Sequence, residues 1–88
     1  MNTDLQIQVD EIKVEFRHQL YLLENTLSEK LREIQERSFF SNEVEAMKYE
    51  AMQKAKEMER AYQKFHRQKE ELTKEITAQI QSLFDKPV

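Results

Sequence analysis

The stretch that decides the fold is IQERSFFSNEV, residues 34–44. One apolar stripe ends within it and another begins. Continuing the first stripe past Ile34 at helical spacing meets Ser38 and Ser41 instead of apolar residues. The next stripe opens at Val44, displaced by about 110° around a helical wheel. A single uninterrupted helix would therefore lose its buried face here. Ser38-Phe39-Phe40-Ser41-Asn42 also supplies N-cap side chains, and Asn42 followed by Glu45 has the spacing of a capping box, with Asn replacing the usual Ser or Thr. The spacing predicts a turn at 38–42, although no glycine or proline enforces a break there; the alternative is one continuous helical rod.

Before the turn, Leu5, Val9, Ile12, Phe16, Leu20, Leu23, Leu27, Leu31 and Ile34 recur at steps of three and four. Leu5, Phe16 and Leu27 open successive eleven-residue units, a repeat of about 3.67 residues per turn that keeps a packing seam nearly straight. This predicts a first helix over about 4–37, with fraying before residue 5. Leu5-Gln-Ile7-Gln-Val9 and Ile12-Lys-Val14-Glu-Phe16 also alternate like strands, but no turn chemistry separates them at Asp10-Glu11. The helical reading also places Ile7, Val14 and Tyr21, seven apart, on a second stripe roughly opposite the first, with Leu22 beside it.

After the turn, Val44, Met47, Ala51, Ala55, Met58, Tyr62, Phe65, Leu72, Ile76, Ile80 and Leu83 form a heptad-like seam, interrupted where Lys69 fills an apolar slot. Glu50–Lys54 and Glu70–Lys74, like Glu33–Arg37 in the first helix, have the favourable order for ion pairs one turn apart. A second helix over about 43–84 is expected, with a frayed tail at 85–88. Its greater length should carry Ile80, Leu83 and Phe84 beyond the end of the first helix in an antiparallel hairpin. Met47, Met52 and Met58 with slim Ala51 and Ala55 are expected to form a core facing Phe16, Leu20, Leu23 and Leu27; the same residues would also suit an adaptable client groove.

Composition supports this all-α, coiled-coil-like hairpin. The 88 residues contain no glycine, no cysteine and one proline, so positive-φ turns, phosphate loops, disulfides and thiolate sites have no residues to build them. The net charge is −3: residues 1–41 hold five basic and eight acidic side chains, residues 42–88 nine of each. Neither half has the basic excess of a dedicated nucleic-acid binder. No apolar run reaches membrane-span length and the N-terminus lacks a signal-peptide core, so a cytoplasmic location is the default expectation.

Chemistry-bearing residues are sparse. Ser28, Ser38, Ser41 and Ser82 have neither a neighbouring histidine nor a glycine elbow, and His18 and His66 lie 48 residues apart without a second ligand at helical spacing. Those histidines would approach each other only across a hairpin. No catalytic residue, cofactor or metal is therefore expected. Arg60, Lys64 and Arg67, with Lys54, Lys56, Lys69 and Lys74 nearby, form the single basic concentration, read either as a solvated face or as a contact for phosphates or an acidic helix.

Two helices bury one stripe each, which leaves an isolated hairpin weakly held and favours completion by a homodimer or a helical partner. The residues expected to meet that partner are Ile7, Val14, Tyr21 and Leu22, then Phe39 and Phe40 at the bend, then Ile80, Leu83 and Phe84. The shape resembles that of small helical-hairpin chaperones and export co-chaperones, and of secreted hairpins that turn on a Trp-x-Gly motif, which is absent here. The resemblance is architectural. It implies a structural or assembly protein, or alternatively a small chaperone or regulator that masks a client's amphipathic helix. Nucleic-acid binding through the basic face of residues 54–74 is the third expectation.

Overall fold

The computed structural model describes residues 2–85. Two helices, α1 (Asn2–Glu36) and α2 (Val44–Asp85), pack against each other as an antiparallel hairpin. The described chain is 71 Å long, close to the ~63 Å that the 42 residues of α2 span at ~1.5 Å each. One continuous helix would be nearly twice that length.

Both helices run longer than their stripes. α1 is helical from Asn2, ahead of the expected fraying point, and α2 continues through Asp85; Lys86, Pro87 and Val88 of the expected tail lie outside the described residues. The connection occupies residues 37–43. α2 starts from Glu43, whose carbonyl accepts the first helical bond from the Met47 N–H at 2.9 Å, so Glu43 and not Asn42 is the N-cap residue. Ser41 supplies the side-chain acceptor, its Oγ receiving the Glu43 N–H at 3.1 Å. A hydroxyl two residues upstream thus satisfies one orphan donor, and the Asn42–Glu45 capping box is not used.

The core is thin. Val9 and Ile34 on α1 and Leu72 and Ile76 on α2 are the buried apolar side chains among the described residues, with Ile34 wholly enclosed. Leu5, Ile12, Phe16, Leu20, Leu23, Leu27 and Leu31 are half-buried along the same face of α1, as the eleven-residue spacing requires. On α2 the seam behaves in two ways. Phe65, Leu72, Ile76, Ile80 and Leu83 turn toward α1, while Lys69 stays exposed. Nearer the bend, the half-buried residues are Ala46, Glu50, Gln53, Lys54, Glu57, Met58 and Ala61.

That second half of the seam corrects the expected core. Ala51 and Ala55 are exposed, Met47 and Met52 are exposed, and neither alanine faces the bulky side chains of α1. The cause is the way the bend is fastened. The Arg37 guanidinium donates to the Glu57 carboxylate at 2.8 Å. The Glu50 carboxylate accepts the Phe40 N–H at 3.0 Å. The Lys54 ammonium donates to the carbonyls of Gln35 and Arg37 and lies 4.6 Å from the Phe39 ring centroid. Glu50, Lys54 and Glu57 are spaced to share one face of α2. Residues 44–55 lie past the end of α1, flanked only by residues 37–43, and the side of α2 that meets this bend is the one carrying Glu50 and Lys54, so Met47, Ala51, Met52 and Ala55 have no α1 residue to cover them.

Candidate partner-binding surface

The hairpin register places the overhang at the opposite end from that expected. Arg37 meets Glu57, Leu23 shares a groove with Gln68, and Gln19 shares one with Leu72 and Glu75. Equal rises from these points bring the Val9 turn level with Leu83. Ile80 and Leu83 are accordingly half-buried inside the hairpin instead of projecting past it. Of the three residues expected in a C-terminal overhang, only Phe84 is open, at 62% exposure. The part of α2 that extends beyond α1 is its first turns, flanked by residues 37–43.

The back of α1 is open to solvent. Ile7, Val14, Tyr21 and Leu22 are all about half exposed or more, and Ile7 and Val14 border a shallow depression with Asp10, Glu11 and Glu15. Ile7 and Val14 therefore sit in an acidic surround. At the bend the two phenylalanines differ. Phe40 is 95% exposed, whereas Phe39 lies under the Lys54 ammonium and contributes to the fastening of the turn.

A third surface lies where the sequence favoured a core, with an open, adaptable face only as the alternative. Val44, Met47, Tyr49, Met52 and Tyr62 are exposed along the first half of α2, together with Ala51 and Ala55. Their periodicity was legible, but it indicates an apolar face without indicating which neighbour covers it. What leaves the face open is register, since α1 ends level with Glu57 and the polar trio Glu50, Lys54 and Glu57 faces the bend.

The basic residues also divide differently from the expected uniform face. Arg60 and Lys64 border a groove of about 540 Å³ between the helices, floored by Leu23, Leu27, Ala61 and Phe65 and bordered across α1 by Lys30. Arg67 is exposed and does not line that groove. Glu57 and Gln68 complete its α2 side.

The histidines do not meet. His66 stands edge-on to Phe65 at 5.8 Å between ring centroids, and His18 is exposed on the adjoining helix at the level of the Leu72 turn. Among the described residues no cluster of three His, Cys, Asp or Glu side chains has the geometry to hold a metal ion. No helix of the described chain is long and apolar enough to cross a membrane.

Comparison with protein-family models, curated proteins and solved structures finds no match to this chain.

Proposed function

We propose that this chain is a non-enzymatic assembly protein, a helical hairpin that associates with itself or with another helical protein through apolar faces. The observation that carries this reading is the imbalance between its interior and its surface. Twelve large apolar side chains are exposed among the described residues, against four in the buried core. Scattered exposed apolar residues are ordinary, but here Ile7, Val14 and Tyr21 share one face of α1 and Val44, Met47 and Tyr62 share one side of α2, the arrangement expected of a surface that another helix covers.

The test replaces Val14 and Tyr21, or Met47 and Met52, by glutamine in the full chain. Association is read by sedimentation velocity across protein concentration, and by cross-linking in cells from a photoreactive residue at Ile7 or Met52. The expected result is a higher-mass species that one or both pairs of substitutions abolish while helix content at high concentration is kept. A chain that is monomeric in both settings, and unfolds as cooperatively with the glutamines as without them, overturns the proposal.

The groove between the helices supports a second reading, a small chaperone or regulator of an amphipathic client. Its apolar floor and the cations Lys30, Arg60 and Lys64 suit a helix with an acidic face. In that case a synthetic acidic amphipathic peptide raises the unfolding midpoint of the hairpin, and Arg60→Glu with Lys64→Glu removes the effect.

A further inference from the structure

The exposed face of the first half of α2 has a pattern that is the same in either direction. Val44, Ala51, Ala55 and Tyr62 are separated by steps of seven, four and seven, a palindrome centred on Gln53. A two-fold axis at the level of Gln53, relating two antiparallel copies of α2, sets Val44 against Tyr62 at both ends. It sets Ala51 against Ala55 on both sides of the middle. The alanines allow the backbones to approach closely, and the larger side chains fill the space toward the ends.

The charges beside this stripe obey the same symmetry. Lys48 and Glu59 lie on one flank of it, the flank turned away from α1. In a two-fold antiparallel pair, equivalent flanks of the two helices meet. Lys48 of one copy then lies within one residue's rise of Glu59 of the other, and the contact occurs twice. The present neighbour of Lys48 is Glu45 at 3.6 Å, a carboxylate whose side chain is 89% exposed and holds it only weakly. Lys54, near the axis on the opposite flank, is already engaged by the carbonyls at the end of α1. Because the end of α1 and the connection engage this part of α2 through Glu50, Lys54 and Glu57, on the other side of the helix, they leave the stripe open.

We infer that this face is the interface of a homodimer, with a second copy of the chain docked antiparallel across Ala51 and Ala55. The inference rests on the assembly reading above and names the partner and its register. The overlap covers residues 44–62, about 28 Å of helix.

The test is sedimentation equilibrium of the full chain, Lys48→Glu, Glu59→Lys, and an equimolar mixture of the two variants, with circular dichroism to establish that each remains helical. Each variant alone faces like charges twice across the axis, and its dimer dissociation constant should rise about ten-fold. The mixture restores both opposite-charge contacts in a heterodimer and should recover the association of the unmodified chain, as should the double variant. Self-association that neither substitution changes, or weakening that the mixture does not repair, overturns this interface and leaves the assembly reading standing on another face. A chain that stays monomeric at every concentration overturns the homodimer outright, while cross-linking to a different protein decides the broader reading separately.

Discussion

Arg37 donates to the Glu57 carboxylate at 2.8 Å, joining the first residue after α1 to one nearly four turns into α2. Sequence spacing pairs Arg37 with Glu33, one turn earlier on its own helix. The structure uses it across the hairpin instead, because the chain leaves the helix after Glu36 and its guanidinium is then free to reach α2. Both side chains remain about two-fifths exposed, 42% and 37%. Glu57→Gln should therefore destabilise the hairpin by no more than about 1 kcal/mol, and the loss should shrink as salt is added. Urea unfolding at low and high ionic strength checks both statements.

Lys54 has a larger role. It satisfies carbonyls at the C-terminal end of α1, opposes the negative end of that helix's dipole, and covers the Phe39 ring. Lys54→Met keeps the apolar stem and removes the charge, with an expected cost of ~1–2 kcal/mol. Hydrogen exchange should show the loss concentrated in residues 33–43. Protection that falls evenly over both helices would indicate that Lys54 does not fasten the bend.

Core and surface apolar residues should separate cleanly in an alanine series. Ile34 is fully enclosed, and Ile34→Ala should cost ~2–4 kcal/mol through the cavity it leaves. Val14→Ala, at 63% exposure, should change the stability of the hairpin by less than ~0.5 kcal/mol. Phe40→Ser should behave like Val14→Ala, and Phe39→Ser should not, because only Phe39 has a cation above its ring. Thermal melts of the four variants at one concentration make the comparison.

The start of α2 gives a smaller effect. Ser41→Ala removes the acceptor for the Glu43 N–H and should cost ~0.5–1 kcal/mol, whereas Asn42→Ala should be nearly neutral. Equal costs at the two positions would return the capping role to Asn42.

Much of the architecture could be read from residue spacing. The Leu5-to-Ile34 stripe indicates the buried face of α1, and its failure at Ser38 and Ser41 indicates a bend without help from glycine. Spacing could not supply the facing of α2. Val44, Ala51, Ala55 and Tyr62 continue the same stripe as Leu72 and Ile76, but a stripe has width, and a small rotation decides which edge is covered. Register adds to this: residues 44–55 lie past the end of α1, and the contacts that fix that register, Glu50, Lys54 and Glu57 with atoms of the bend, include backbone groups that have no sequence signature. The misplaced overhang has the same origin: the length of α2 was legible, but which end extends past α1 depends on the register those polar contacts fix.

The direct test of an apolar surface built for association is the thermal midpoint of the full chain, followed by helix signal over a thousand-fold range of concentration. Unfolding coupled to dissociation makes the midpoint rise steadily with concentration, and Met47→Gln with Met52→Gln should flatten that dependence. A sharp midpoint that stays constant across the range, and is indifferent to the two substitutions, would show that the hairpin stands alone.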